Sequence, residues 1–165
     1  MTVRVRDLTR RHDWPSGESV TALDGVSLDL DDEELVALVG DPGAGKSTLL
    51  AVLAGAKRAT AGTVEVAGVA LHDLDDEGRR AFLADRVAAV VTGPGDSTAG
   101  EPPDAVALVV ADDPTFGLER GEREAMVDYL VSLRGPGRVV VVATHHPSVA
   151  AAADRVVVLK GGRIA

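Results

Sequence analysis

The stretch Gly40-Asp41-Pro42-Gly43-Ala44-Gly45-Lys46-Ser47-Thr48 fits the pattern G-x-x-x-x-G-K-[ST] at every fixed position. Its glycines let the backbone turn so that successive N–H groups point inward, and a helix behind them adds the positive end of its dipole. Such a loop cradles phosphates. Lys46 would reach the terminal phosphates, and Ser47 offers a hydroxyl to Mg²⁺, a hard cation that shares its oxygen ligands with the phosphates. Thr48 is read as the first helical residue. The motif requires a buried strand before it and an amphipathic helix after it. Leu35-Val36-Ala37-Leu38-Val39 is a continuous apolar run of the kind a parallel sheet covers on both faces. Leu49, Leu50, Val52 and Leu53 then recur at helical spacing until Gly55. The competing reading, a glycine turn with an incidental lysine, leaves this agreement unexplained, so nucleotide phosphate binding is taken as the anchor.

The 165 residues suggest a single domain, 1–165, with a length sufficient for one well-buried core. A formal net charge of −9 and a pI near 4.8 argue against nucleic acid as a partner, because phosphate backbones attract a surplus of Lys and Arg. An anionic nucleotide still fits, since the local field of a loop and its metal governs that contact. The absence of cysteine excludes disulfides and zinc-thiolate sites. Met1 to Asp7 alternates charged and apolar residues, unlike the core of a signal peptide, and no apolar run approaches the roughly 18 residues of a membrane span. A cytoplasmic location is the expectation, with any place on the inner face of the membrane reached through a partner. Aromatic residues at 2% make a base-stacking platform or aromatic-lined pocket unexpected.

Along the chain, Val3, Val5 and Leu8 alternate with polar residues as a strand, Arg10 to Ser19 reads as a polar turn, and Val26, Leu28 and Leu30 alternate again. The N-terminal part is therefore expected to be antiparallel. Asp29, Asp31, Asp32, Glu33 and Glu34 form either a metal site or a solvated turn; the turn is favoured because few of these side chains could converge. Val64, Val66 and Val69 mark a strand pair around Gly68, Asp75 to Ala84 a helix with Phe82 and Leu83 inward, and Val87 to Val91 a buried strand. Residues 93–103, rich in Gly and Pro, read as a linker. Val106 to Ala111 empties onto Asp112 and Asp113, where a parallel fold places metal-organising acids. Glu119 to Leu133 is a helix on which Ala125, Met126, Tyr129, Leu130 and Leu133 pack. Val139 to Ala143 is a further buried strand ending at Thr144-His145-His146-Pro147. A short alanine-rich helix, Val156 to Leu159 and a Gly161-Gly162 turn close the chain. A right-handed crossover from Leu35–Val39 is expected to bring the strand ending at Asp112 alongside.

With Asp112-Asp113-Pro114-Thr115, Gly117-Leu118 and Thr144-His145 behind Gly40 to Thr48, the order and spacing resemble the nucleotide-binding subunit of ABC transporters. Val20 to Leu28 and Ala153 to Ile164 join the resemblance, which spans nearly the whole chain. Within that family, importer- and lipoprotein-exporter-type subunits are nearest. The implied fold is α/β, a P-loop NTPase core with a mainly parallel sheet plus an N-terminal antiparallel β layer. The resemblance implies that Gly40, Asp41, Pro42, Gly43, Ala44, Gly45, Lys46, Ser47 and Thr48 bind ATP and that Ser47 and Asp112 hold Mg²⁺. It also implies that Asp113 polarises the attacking water and His145 contacts the γ-phosphate; the other reading of His145 is a core histidine.

Four departures qualify this. Asp113 is one methylene shorter than the family's glutamate, and a shift of about 1 Å in a catalytic group can cost roughly 10²-fold. Thr92 stands in place of a glutamine that senses Mg²⁺, and its hydroxyl could ligate the metal. His12 stands in place of a tyrosine that stacks on adenine; His12 or nearby Trp14 could supply a flat face. Between Thr92 and Asp104 the family carries a helical subdomain and an L-S-G-G-Q motif, replaced here by the short linker. A second, full-length ABC ATPase subunit and a membrane-spanning subunit are the implied partners. Two classes follow: an ATPase of weak or partner-dependent turnover, and a hydrolysis-deficient ATP-binding regulatory or degenerate partner. A small-molecule kinase is disfavoured, because no lid with arginines follows the middle strands.

Overall fold

A computed structural model of the chain describes residues 3–90 and 102–165. Its first sheet is antiparallel and comes almost entirely from the N-terminal part. β1 (Val3–Asp13) pairs with β2 (Ser19–Leu30) on one side and with β4 (Ala61–Val66) on the other, and β5 (Val69–Ala70) closes the edge. The hairpin is longer than the sequence suggests. Arg10 to Asp13 continue β1, and only Trp14 to Glu18 turn. Its tip has no buried face, so no alternation betrays the strands.

A bulge explains the odd spacing of Val3, Val5 and Leu8. Asp7 is left-handed at φ 47 and donates its N–H to the Ser27 hydroxyl at 2.9 Å, and the register shifts between Val5 and Leu8. The extra residue returns Leu8 to the buried face.

The second sheet runs in the order β10-β9-β3-β8-β7-β6. β3 (Leu35–Val39), β8 (Val139–Ala143), β7 (Leu108–Asp112) and β6 (Val87–Val90) are mutually parallel along the sheet, as is β9 (Arg155–Lys160) beside β3. β10 (Arg163–Ile164) turns back antiparallel. The strand ending at Asp112 is thus not next to β3: β8, buried at all five positions, lies between them. Val91, expected to end the β6 strand, falls outside the described residues, as do residues 93–101 of the expected linker.

Both faces of β3, β8 and β7 are covered, which is why these strands read as continuous apolar runs. The flanking strands are not: β9 leaves Val156 and Val158 exposed, and β6, expected to be buried, is half-buried at Val87 and Ala88 and exposed at Ala89 because it lies at the sheet edge. On one face Val36, Leu38, Val110 and Val141 pack with the N-terminal sheet and with Leu49 and Leu53 of α1 (Lys46–Leu53). On the other, Leu35, Val109, Val140 and Val142 pack with Leu130 and Leu133, at the end of α3 (Arg120–Ser132), and with Val149 of α4 (Pro147–Ala152). Met126 and Tyr129 of α3 support this second core as expected; Ala125 is exposed and Val127 takes its place. α2 (Asp76–Arg86) presents Leu83 to the first core.

The acidic run resolves into separate braces. Asp29 binds Arg6 at 2.6 Å, Asp32 accepts the Gly137 N–H at 2.9 Å, and Glu34 meets Arg155 at 3.1 Å. At the same end of the sheet the buried Arg138 guanidinium donates to the carbonyls of Pro102, Pro103, Val106 and Leu133. It thereby ties the chain leading into β7 to the sheet. Among the described residues no helix is long and apolar enough to cross a membrane.

Candidate functional site

Four strands, β3, β7, β8 and β9, deliver their C-terminal ends to one edge of the parallel sheet, and the sequence-predicted residues gather there. β3 runs straight into the loop Gly40 to Gly45. Gly40, Gly43 and Gly45 are left-handed at φ 153, 80 and 104, and Ala44 N–H donates to Asp41 at 3.0 Å. Two of these glycines are required by their surroundings. A Cβ on Gly40 would stand 2.3 Å from the Leu159 carbonyl oxygen, and one on Gly45 would stand 2.6 Å from that of Ala22.

Lys46 opens α1, two residues earlier than the sequence reading placed the helix start. Its amino group lies in the hollow of the loop and donates to the carbonyls of Gly40 at 2.7 Å and Asp41 at 3.1 Å. A buried cation held this way by its own loop meets whatever enters the hollow. Ser47 is exposed at the mouth and Thr48 is half-buried. The N-terminus of α1 also differs from the others. α2 is capped by Asp75 on Gly78 N–H, and α3 carries a capping box between Glu119 and Glu122. α1 has neither a side-chain cap nor an acid in its first turn, so its N–H groups and dipole are directed at the loop.

Beyond β8, Asp112 ends β7 exposed to solvent. Asp113 follows at φ 44, a left-handed conformation that a short carboxylate tolerates. Its N–H donates to the Ala143 carbonyl at 2.8 Å, fixing it against the end of β8. Its carboxylate accepts the His145 N–H at 3.2 Å, and its other oxygen lies 3.5 Å from His145 Nε2. The His145 ring is about half exposed (52%), so the core-histidine reading is set aside. Thr144 is buried and accepts the His146 N–H at 2.9 Å, while His146 Nδ1 caps α4 through Ser148. Between Val39 and Gly40 on one side and Thr144, His145, His146 and Ala150 on the other lies a cavity of about 200 Å³, joining the loop to the histidines.

The remaining candidates stand apart. His12 is half-buried on β1 opposite Val20, on the hairpin whose return strand passes Gly45 at Ala22. Trp14, 59% exposed, sits at its tip. Thr92 lies outside the described residues. Sequence reasoning missed the walls of the loop: Ala22 and the Gly161-Gly162 turn lie far from it in the chain, and only the paired glycines hinted at a close backbone approach.

Comparison with known proteins agrees with this arrangement. The family described as ABC transporter matches residues 23–98. The macrolide export ATP-binding/permease protein MacB of Escherichia coli is 30% identical over 211 residues, covering 93% of this chain and 33% of MacB. The chain thus spans about a third of that relative's length. An uncharacterized ABC transporter ATP-binding protein of Mycobacterium tuberculosis is 29% identical over 211 residues, covering 92% of this chain and 85% of its own. An aligned stretch of 211 residues exceeds this whole chain of 165, so both relatives carry segments it lacks. Among solved structures, a post-hydrolysis dimer of the ATP-binding cassette MJ0796 bound to ADP and Pi superimposes with a TM-score of 0.81 at 21% identity, covering 98% of this chain and 96% of that one. At that identity the match establishes the fold. The motif residues, their convergence on one sheet edge and these matches agree: the chain is similar to the ATP-binding domains of ABC transporters.

Proposed function

We propose that this domain binds Mg-ATP through Gly40 to Thr48 and hydrolyses it slowly, as the nucleotide-binding part of a transporter whose other half-site comes from a full-length ABC ATPase subunit. The observation that carries the reading is the capless start of α1 with Lys46 held in the loop hollow, beside the carboxylate and histidine that end β7 and β8.

In this reading the loop N–H groups and Lys46 hold the phosphates. Asp113 orients the attacking water for in-line approach to the γ-phosphate, and His145 steadies the developing charge. His12 or Trp14 supplies a face to the base. The donors offered to a metal, Ser47 and Asp112, are exposed oxygen ligands on the same edge, with Thr92 proposed as a third. Among the described residues no cluster of three acidic or histidine ligands forms a cage. That suits Mg²⁺, which takes one or two protein oxygens and fills its remaining positions with phosphate and water. When bound, it supplies charge neutralisation across the phosphate oxygens.

A second reading, ATP binding without turnover in a regulatory partner, is favoured by one observation. The Asp113 carboxylate is already engaged by the His145 N–H and ring, leaving less of it to polarise water. In either reading a cytoplasmic domain docks on a membrane-spanning subunit. Nucleotide titration tests the shared core: micromolar-range Mg-ATP binding is expected for the parent and none for Lys46→Ala. Unchanged binding in that variant rules out the loop as the site.

A further inference from the structure

The loop is gripped from outside by two segments distant in sequence. The Gly162 N–H donates to the Ala44 carbonyl at 2.9 Å, and the Gly162 carbonyl in turn accepts the Asp24 N–H at 2.9 Å. The Ala22 carbonyl is wedged between two left-handed glycines. A Cβ on Gly162 would stand 2.6 Å from that oxygen, 3.1 Å from its carbon and 3.3 Å from Leu23 Cα; one on Gly45 would stand 2.6 Å from the same oxygen and 3.6 Å from Gly162 Cα. These are backbone atoms and cannot swing aside. Outside the turn, Arg163 binds the Asp24 carboxylate through Nε at 2.9 Å and Nη2 at 2.5 Å.

This packing has a directional consequence. A trans peptide is planar, with its C=O and N–H pointing opposite ways. Holding the Ala44 carbonyl toward Gly162 therefore aims the Gly45 N–H away from the β9–β10 turn. We propose that Gly162 is a positioning residue for nucleotide: its N–H fixes the Ala44–Gly45 peptide plane, so that the Gly45 N–H is presented to a phosphate oxygen before any ligand arrives. The inference rests on the Mg-ATP reading of the loop. Preorganised donors bind more tightly because no reorientation is needed on association. The β9–β10 turn thus shapes the nucleotide site through the backbone of the loop.

The experiment compares Mg-ATP dissociation constants and melting midpoints for the parent, Gly162→Ala, Gly161→Ala, Arg163→Ala and Lys46→Ala. Gly161 is also left-handed, at φ 57, but a Cβ there meets nothing within 4 Å, so Gly161→Ala carries the backbone strain without the clash. Expected is a tenfold or greater weakening of ATP binding in Gly162→Ala beyond that in Gly161→Ala, measured below both midpoints, with Gly162→Ala melting lower because it carries the clash as well as the strain. Arg163→Ala, which removes only the exposed brace and leaves the fold intact, should weaken ATP about threefold at an unchanged midpoint, so the test survives if Gly162→Ala does not fold. Parent-like ATP affinity in Arg163→Ala and in any folded Gly162→Ala, while Lys46→Ala loses binding, overturns the positioning role and leaves the site intact. A parent that binds no ATP overturns the nucleotide reading itself.

Discussion

At Asp113 the backbone and the chemistry constrain each other. With φ 44, the residue occupies a region that costs an ordinary side chain roughly 1–2 kcal/mol, whereas Asp and Asn offset that by local hydrogen bonding. The short arm is what lets the carboxylate fold back to the His145 N–H at 3.2 Å. The family's glutamate would extend past that donor. Asp113→Glu is therefore expected to leave ATP turnover no faster than the parent and to lower the melting midpoint by about 2–4 °C, the effect of about 1 kcal/mol at this chain length. Asp113→Asn, which keeps the backbone preference and removes the charge, should melt like the parent and turn over less. A tenfold gain in Asp113→Glu would mean that the shorter acid is merely a defect. The identity of Asp113 was legible from its place after a buried apolar run. Its left-handed backbone and its bond to His145 were not, because they depend on where β8 ends, about thirty residues later in the chain.

Elements were legible where burial imposes a period. β3, β7 and β8 announced themselves as apolar runs, and α1 by its leucine spacing; all are covered on the expected sides. What failed was neighbourhood. Composition alone does not say that β8 separates β7 from β3, and the strands at the hairpin tip have no buried face to read. One long-range tie shows how the order is secured. Asp154, just before β9, accepts the Leu35 N–H at 2.7 Å and a bond from Arg134 Nη1 shared between its two oxygens at 2.7 and 2.8 Å, joining β9, β3 and the end of α3. The Leu35 amide first, and then the Arg134 guanidinium, hold its carboxyl below the ordinary 3.8. A carboxyl depressed in the folded state stabilises above its unfolded pKa, and that contribution is lost as pH falls through the folded value. Asp154→Asn should therefore unfold more easily than the parent at pH 7, by about 1 kcal/mol once solvent exposure is allowed for. Denaturant titrations should show that gap closing as the pH drops below 3.8 and beyond. A gap independent of pH would assign the effect to lost geometry rather than to charge.

The loop from Gly40 to Gly45 touches β2 at Ala22 and β9 at Leu159, and Ala44 bonds to the turn after β9, so both ends of the chain close on one functional segment. Ligand binding there cannot be a local event. A ligand that binds only the folded state at about a hundred times its dissociation constant adds about 2.7 kcal/mol, which raises the melting midpoint of a chain this size by about 5–10 °C. The single tryptophan, Trp14, sits at the tip of the β1–β2 hairpin in the N-terminal sheet, whereas far-UV circular dichroism reports the whole chain. Because Asp24 of β2 is bonded, and Ala22 packed, into the clasp around the loop, saturating Mg-ATP should move the Trp14 fluorescence transition and the dichroism transition upward together. Lys46→Ala should leave both where they were. A tryptophan transition that stays fixed while the dichroism transition rises would mean that the N-terminal sheet melts independently of the loop. In that event the packing of Ala22 against Gly45 and Gly162 would not couple the two sheets, and nucleotide would stabilise the parallel sheet alone.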